Sequence, residues 1–380
     1  MLAHARTSRY QVQVTGAEGG CIVVGGGIVG CAIALGLRDR GLAVTVVDRS
    51  APGSEASWAA AGILAPQLEA HGPGPFIELM RAGVDRWRGY AGMLQARTGL
   101  DVGYRDDGAL DVAFDDEEAA RLLERARWQR GAGLPVETLS ARELAALEPS
   151  LAPATLALRI PDGHQVDTRR AMRALVGACT AAGVAFVETE VRRLRHDRGR
   201  VIGIDSDAGA RDAATVIVAG GAWSTQLDGV PMPRGAVHPV RGQMIELRAS
   251  APPLRHVVFG GGGYLVPRAD GRVLCGSTEE DVGYLKEVTA AGLGALSARA
   301  TRLCPALAAL PVADHWAGLR PASADALPYI GATAVSGLWL ASGHFRNGVL
   351  LAPLTAEIVV ALVTGDTVPV DVTALSPSRA

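Results

Sequence analysis

The chain has 380 residues, which exceeds the usual size of one hydrophobic core and favours two domains. Hydrophobic residues make up 48% and charged residues 20%, the balance of a folded globular protein. A formal net charge of -2 without a basic cluster argues against a nucleic-acid partner. The five scattered cysteines lack C-x-x-C spacing, so we expect reduced thiols and no metal site.

Membrane insertion and lysine chemistry are also disfavoured by the sequence. Apolar runs are interrupted by Gly, Arg or Asp before they reach the roughly 18 residues that span a bilayer, so we expect no integral membrane segment. Residues 1–18 lack an apolar signal-peptide core and are interpreted as a flexible extension of a cytoplasmic protein. Lys286 is the only lysine, which argues against a Schiff base, a pyridoxal phosphate anchor or a P-loop.

The first elements predict a β-α-β unit. Cys21 to Gly27 is a short apolar strand that runs into glycines, and Ile28 to Arg40 has helical spacing. The helix stops at Gly41, and Val44 to Val47 is a second buried strand. The pattern is that of the first crossover in a parallel sheet.

Helical and strand-like segments alternate through the rest of the chain. The predicted helices are Phe76 to Arg97, Glu117 to Arg130, Ser140 to Leu147, Asp167 to Ala182, Val288 to Leu303 and Leu351 to Val363. The predicted strands are Val184 to Val187, a hairpin from Val191 to Ile204, Ala214 to Ala219, Gly242 to Leu247, His256 to Phe259, Tyr264 to Pro267, Arg272 to Gly276 and Leu338 to Ala341.

This order predicts an α/β fold, α+β overall, in which an antiparallel-sheet domain is inserted into a Rossmann-like domain. Strands of the nucleotide-binding type occur at the beginning, middle and end of the chain. We expect residues 19–85, 140–228 and 315–370 to form the nucleotide-binding domain. Residues 86–139 and 229–314 are expected to form the domain that binds the substrate.

A dinucleotide-binding motif follows the first strand. Gly25, Gly27 and Gly30 form G-x-G-x-x-G between a predicted strand and a predicted helix, where bare backbone lets a pyrophosphate approach the helix N-terminus. Asp48 ends the second strand, about 20 residues further on, where a carboxylate accepts hydrogen bonds from ribose hydroxyls. The motif leaves NAD and FAD open and makes NADP a weaker candidate.

Longer motifs resemble those of the flavin oxidoreductases of the D-amino-acid oxidase superfamily, and most closely the glycine oxidases of thiamin biosynthesis. The resemblance covers about residues 21 to 365. It is carried by the segments Cys21 to Gly30, Glu55 to Pro66, Arg241 to Met244, Gly276 to Asp281, Ala317 to Pro321 and Gly343 to Pro353. The last segment, which contains Gly-His-Phe-Arg-Asn-Gly, is the most specific of these.

The resemblance implies non-covalent binding of FAD by residues spread along the chain. It implies contacts to the pyrophosphate, adenosine, ribityl chain and flavin by Gly25, Gly27, Ile28, Val29, Gly30, Asp48, Arg49, Ala56, Ser57, Ala61, Gly62, Ile63, Val191, Ala219, Gly220, Trp223, His344, Phe345, Asn347, Gly348, Val349 and Leu350. Small residues in the Ala59 to Gly62 segment would let backbone amides reach the flavin. The helix that opens at Gly348 would direct its positive end at the reduced ring.

Three residues are candidates for substrate binding and catalysis. An amino-acid carboxylate suits a guanidinium, which offers two oriented donors that lysine cannot copy. By resemblance, Arg320 binds the carboxylate, Arg346 makes a second substrate contact beside the flavin, and the Tyr264 hydroxyl assists. Met244 is interpreted as packing.

The resulting hypothesis is oxidative deamination of glycine, and of sarcosine or small D-amino acids, by hydride transfer from the α-carbon to flavin N5. Oxygen would reoxidise the flavin, giving an imine or glyoxylate, ammonia and hydrogen peroxide. The resemblance also implies a homotetramer and a link to thiamin thiazole synthesis. Two alternatives stay open: a D-amino-acid dehydrogenase that uses another electron acceptor, and a catalytically silent flavoprotein subunit.

Overall fold

The computed structural model describes residues 20–70 and 72–379. The predicted N-terminal extension therefore lies outside the described residues. The helices are α1 Ile28–Asp39, α2 Ala56–Ala59, α3 Pro66–Glu69, α4 Pro75–Thr98, α5 Asp116–Gly131, α6 Ala141–Leu147, α7 Thr168–Ala181, α8 Ala290–Leu303 and α9 Gly348–Thr364.

Nineteen strands lie between these helices in the described part of the chain. They are β1 Cys21–Val24, β2 Val44–Asp48, β3 Ile63–Leu64, β4 Ala109–Ala113, β5 Glu137–Ser140, β6 Leu156–Ile160, β7 His164–Gln165, β8 Ala185–Glu188, β9 Val191–Asp197, β10 Arg200–Ser206, β11 Gly209–Asp212, β12 Thr215–Val218, β13 Val237–Arg248, β14 Val257–Gly260, β15 Gly263–Pro267, β16 Arg272–Gly276, β17 Val312–Ser323, β18 Tyr329–Ala332 and β19 Leu338–Ser342.

Two of the predicted helices start at side-chain caps, at Ser140 and Asp167. The Ser140 side chain accepts a hydrogen bond from the Glu143 amide while the Glu143 carboxylate accepts one from the Ser140 amide, forming a capping box at α6. The Asp167 carboxylate accepts a hydrogen bond from the Arg170 amide at 3.1 Å and begins α7. Local side-chain chemistry therefore sets where both helices start.

A six-stranded sheet has the order β18-β19-β12-β1-β2-β8, and only the edge strand β18 runs antiparallel to its neighbour. Successive side chains of β1 point to opposite faces. Val23 packs among α1, α7 and α9, whereas Ile22 and Val24 pack against Leu194 of the small β9–β10–β11 sheet. Because both faces are covered, the central strands are continuously apolar, which is why they could be predicted.

An eight-stranded sheet has the order β17-β13-β16-β15-β14-β4-β6-β5. The predicted antiparallel sheet is present, since β13, β16, β15 and β14 pair antiparallel in that order. The strand β4 comes from an earlier part of the chain and pairs parallel to β14, with Val257 opposite Ala109. The strand β17 was not predicted, although it pairs along almost the whole length of β13.

In two places the eight-stranded sheet includes residues that were predicted to lie in the nucleotide-binding domain. Residues 156–160 and most of 312–323 were assigned to the nucleotide-binding domain, but β6 and β17 belong to the eight-stranded sheet. The β17 strand contains residues of both predicted ranges, because it runs across the boundary predicted between residues 314 and 315. Arg320, a candidate site residue, lies on this strand.

Helix α9 forms part of the core despite an internal proline. Pro353 has no N–H to donate to the Val349 carbonyl, and the Trp87 indole N–H donates to that oxygen instead, at 3.1 Å. By length and composition alone, Phe345–Thr364 passes as long and apolar enough to cross a membrane, although Arg346, Gly348 and Glu357 interrupt its apolar residues. Because 78% of its apolar window is buried inside the protein, the segment fits a core helix.

Candidate active site

One cavity of about 550 Å³ brings the predicted site residues together. Its walls come from the β1–α1 turn, the segment around α2, the ends of β12 and β19, and strands β13, β15 and β17. Of the predicted residues, all line the cavity except Gly30 and Leu350. The sequence had placed these residues on separate motifs up to about 300 positions apart, and the fold gathers them into a single site.

The glycine turn at the start of α1 is required by backbone packing. Gly25 has φ +110°, and a Cβ there would overlap the carbonyl oxygen of Ala219. A Cβ at Gly30 would overlap the carbonyl of Gly25 in the same way. Gly30 was predicted to contact the cofactor, but it does not line the cavity. Its lack of a Cβ instead lets α1 pack closely on the glycine turn.

The side chains of Asp48 and Ser57 accept hydrogen bonds from backbone amides of this turn. The Gly26 amide donates to Asp48 Oδ2 at 2.6 Å, and the Ile28 amide donates to Ser57 Oγ at 2.9 Å. Asp48 Oδ1 accepts from the Ser50 amide at 3.0 Å. Asp48 thus lines the cavity as predicted and also holds the glycine turn, a second task that spacing alone did not indicate.

Another part of the cavity wall combines a cation with aromatic rings. The Arg49 guanidinium lies over the Trp223 ring at 3.8 Å from its centroid, and Trp223 packs against Tyr284 with centroids 5.5 Å apart. Glu55 accepts hydrogen bonds from both Arg49, at 3.1 Å, and Lys286, at 2.8 Å. The only lysine of the chain therefore forms an ion pair at the rim of the site.

The segment from Ala59 to Gly62 is held by buried donors beneath it. Gly62 has φ +73°, and a Cβ there would overlap the Val166 carbonyl. The Trp316 indole donates to the Ala59 carbonyl at 2.9 Å, and Arg268 Nη2 donates to the Ala61 carbonyl at 2.6 Å. Burial lowers the pKa of Arg268 to about 10. No sequence motif indicated Arg268, which reaches this segment from the end of β15.

The segment His344 to Val349 begins α9 at the cavity wall. Burial lowers the pKa of His344 to about 4, and its Nε2 lies 3.0 Å from Thr355 Oγ1. His344 is therefore a neutral side chain at ordinary pH. Leu350 does not line the cavity, because it lies inside the helix, where its carbonyl accepts a hydrogen bond from Trp87 at 3.0 Å.

Arg320 lines the cavity and has one buried donor without a partner among the described residues. Its Nη2 donates to Ser277 Oγ at 2.6 Å, whereas its buried Nη1 has no hydrogen-bond partner among the described residues. Burial lowers the pKa of Arg320, and the charge of Arg346 lowers it further. An arginine stays protonated under such shifts, so the site holds a positive charge with a free N–H. The arrangement is suited to an anionic ligand group.

Tyr264 and Met244 form the adjoining wall. The Tyr264 hydroxyl donates to Met244 Sδ at 3.3 Å, and both side chains line the cavity. A thioether sulfur is a weak acceptor, so the hydroxyl is available to a better one. A Cβ at Gly276 would come within 2.6 Å of the Tyr264 ring and hydroxyl, which explains a glycine there. Met244, interpreted from sequence as packing, lines the cavity as well.

Arg346 is already paired with a carboxylate. Its Nε donates to Glu69 Oε2 at 2.6 Å and its Nη2 donates to Glu69 Oε1 at 3.0 Å, while Nη1 lies 3.4 Å from Glu279 Oε2. Burial, the largest single influence, lowers the pKa of Arg346, but the charge and hydrogen bonds of Glu69, together with the charges of Tyr264 and Glu279, leave that pKa raised. Glu69 lines the cavity and was missed, because a single glutamate between Ala- and Gly-rich segments carries no sequence signal.

The remaining reactive groups lie elsewhere. All five cysteines are free and buried, and none lines the cavity in the described part of the chain. Burial raises the pKa of Cys275 to about 12, and its thiol donates to the Leu296 carbonyl at 3.3 Å. Across residues 20–70 and 72–379, no cluster of three His, Cys, Asp or Glu side chains is arranged to hold a metal ion.

The fold and cavity together define a dinucleotide-binding α/β protein whose site also holds a buried arginine. Residues 21–362 match the family model described as FAD dependent oxidoreductase. The chain belongs to this family of FAD-dependent oxidoreductases.

Individual relatives extend the comparison. The chain is 35% identical to a glycine oxidase of Geobacillus kaustophilus over 378 residues, 98% of each protein. It is 36% identical to the bifunctional protein ThiO/ThiG of Synechocystis over 94% of this chain, but spans only 53% of that protein. The crystal structure of glycine oxidase from Geobacillus kaustophilus superposes with a TM-score of 0.90 at 34% identity, covering 95% of this chain and 99% of that one.

Proposed function

We propose that the protein is an FAD-dependent oxidase of glycine that also accepts sarcosine or small D-amino acids. The observation that carries the proposal is the buried, unpartnered Nη1 of Arg320 among the described residues, in the same cavity as the glycine turn. Similarity to a glycine oxidase over 98% of the chain supports this substrate class. The reaction is oxidation of glycine by oxygen with addition of water, giving glyoxylate, ammonia and hydrogen peroxide.

The residues present fit FAD. The turn at Gly25 and Gly27 and the N-terminus of α1 would hold the pyrophosphate, and the Arg49 and Trp223 wall would hold the adenosine. The Ala59 to Gly62 segment and the start of α9 would hold the flavin. Binding without a covalent bond is supported by the position of the described cysteines away from the cavity. Bound FAD would accept a hydride from the substrate carbon and pass the electrons to oxygen.

Arg320 is proposed to bind the substrate carboxylate and so to fix the direction of the α-carbon. Two parallel N–H donors orient a planar carboxylate as well as bind it, and orientation is the main contribution that the protein makes to such a transfer. The Tyr264 hydroxyl donates to the weak acceptor Met244 Sδ in the structure, and it would donate to the substrate carboxylate when substrate is bound. Arg346 is proposed as a second substrate contact beside the flavin, made by packing rather than by binding the carboxylate, because Glu69 already occupies two of its three nitrogens.

The product of this reaction suggests where the enzyme acts. Because a ThiO/ThiG relative carries a homologous region within a longer protein, we propose that the glycine-derived imine or glyoxylate serves thiamin thiazole synthesis in the cytoplasm. We also propose a homotetramer. The division of the chain into a nucleotide-binding and a substrate-binding domain remains a proposal, with β6 and β17 grouped with the latter.

Oxygen consumption by the purified holoenzyme tests the proposal. Glycine should cause oxygen uptake with equal amounts of peroxide, ammonia and glyoxylate, and a screen of sarcosine, D-alanine and D-proline would rank the substrates. Glycine that leaves the flavin oxidised under anaerobic conditions would refute the proposed function. Flavin reduction without peroxide, together with fast transfer to a quinone, would establish the dehydrogenase alternative.

A further inference from the structure

We propose that Glu69 is a specificity-determining residue that closes Arg346 to anions and so excludes amines bearing a second carboxylate, such as N-carboxymethylglycine (iminodiacetate). The inference rests on the proposed function and adds a substrate filter to it. The filter consists of Glu69 and Arg346, called here the gate pair.

The gate pair occupies the geometry that a second carboxylate would need. Glu69 uses both carboxylate oxygens against Nε and Nη2 of Arg346, at 2.6 and 3.0 Å, which is the side-on bidentate arrangement that arginine offers to a bound carboxylate. A ligand carboxylate would have to displace Glu69 to bind there. The Glu69 and Arg346 side chains are only 15% and 27% exposed, so the pair is weakly screened by solvent.

The charges of the cavity wall lead to the same conclusion. Arg320, Arg346 and Glu69 all line the cavity near Tyr264, and the gate pair is neutral as a unit. Arg320 is therefore the one positive charge at this end that lacks a carboxylate partner in the described structure. One unpaired guanidinium matches one substrate carboxylate. A second carboxylate would find no free cation and would meet the negative charge of Glu69 instead.

Two short elements carry the gate pair. Glu69 ends α3, which begins with Pro66, and Arg346 lies in the turn that leads into α9. Glu279, whose side chain is 54% exposed, approaches the third nitrogen of Arg346 from outside at 3.4 Å. Glu279 does not line the cavity, so it offers a matched control: a carboxylate on the same arginine that faces away from the ligand.

The experiment compares Glu69→Gln with Glu279→Gln as holoenzymes. The quantity measured is kcat/KM for iminodiacetate divided by kcat/KM for glycine. Glu69→Gln keeps the shape of the side chain but frees the charge of Arg346, so the ratio should rise at least tenfold over the parent. Glu279→Gln should leave the ratio within about twofold. A ratio in Glu69→Gln that stays at the parent value or falls would overturn the proposal.

A measurement on the unaltered protein tests the gate without any variant. Diglycolate and methoxyacetate are unreactive ether analogues with two carboxylates and one, and their binding is followed through the change in flavin absorbance. The parent should bind methoxyacetate at least tenfold more tightly than diglycolate, and equal affinity would overturn the proposal. Parent protein that discriminates in this way but does not oxidise glycine would contradict the proposed function and leave the gate standing.

Discussion

Two parts of the cavity wall are built differently, and they are called here the backbone end and the side-chain end. At the glycine turn and the Ala59 to Gly62 segment, backbone lies so close to backbone that a Cβ at Gly25 or Gly62 would overlap a carbonyl oxygen. At the other end, side chains from four separate elements meet: Arg320, Tyr264, Arg346 and Glu69. Adding one methyl group should therefore disrupt the whole backbone end. Replacing one side chain at the side-chain end should remove only the contribution of that group.

Gly25→Ala tests the backbone end, and of the variants considered it should have the largest effect, loss of cofactor binding. The added methyl group would overlap the Ala219 carbonyl, and φ +110° is unfavourable for alanine. We expect loss of FAD from the purified protein, measured by visible flavin absorbance after gel filtration. Gly89→Ala is the control, since no atom lies within 4 Å of a Cβ on that residue of α4. Stoichiometric FAD in Gly25→Ala would contradict the account of this end.

At the side-chain end, Arg320→Met should keep the cofactor but lose the substrate. Leaving a buried carboxylate without its charged partner costs about 2–5 kcal/mol, so kcat/KM for glycine should fall roughly 30- to 4,000-fold. Arg299→Met is the matched control, because Arg299 donates to the Ser277 carbonyl at 3.2 Å without lining the cavity. Equal losses in the two variants would show that Arg320 has only a structural role.

His344, which lines the cavity just before α9, gives a prediction about pH. The folded protein holds its pKa at about 4, well below the ordinary value of 6.5, because of burial. Between pH 6.5 and 4 the unfolded chain binds a proton that the folded chain does not, so the free energy of unfolding falls as pH drops through this window and is retained above it.

Urea denaturation of the holoenzyme at pH 7.5 and pH 5 measures this contribution. We expect the parent to lose roughly 2 kcal/mol more than His344→Gln on moving to pH 5. If both proteins lose the same amount, His344 is not the group responsible.

Tyr264→Phe should have the smallest effect. Removing one hydroxyl that bonds a carboxylate costs about 0.5–1.5 kcal/mol, which corresponds to roughly a 2- to 13-fold rise in KM for glycine. Because Tyr264 packs on Phe259 with ring centroids 5.4 Å apart, the ring should stay in place. Steady-state kinetics with glycine check this, and an unchanged KM would remove the hydroxyl from the carboxylate site.

The difference between the two ends also explains what could be predicted from the sequence. The glycine turn, Asp48 and the buried strands depend on local spacing and continuous apolar runs, and the structure has them where the sequence indicated. The strand that carries Arg320 was not predicted, because Gly318 and Pro321 interrupt its pattern while pairing with β13 imposes it. The partners Glu69 and Arg268 were missed because their roles depend on contacts more than 200 positions away in the chain.

Anaerobic reduction of the flavin by glycine and by glycinamide tests the central claim most directly. The two compounds share the same α-carbon and amine, but glycinamide lacks the anionic carboxylate that Arg320 is proposed to bind. We expect glycine to bleach the flavin of the unaltered holoenzyme at least about thirtyfold faster at equal, limiting concentration, from the loss of about 2 kcal/mol or more. Equal rates of bleaching would contradict the claim that a guanidinium at position 320 directs the substrate.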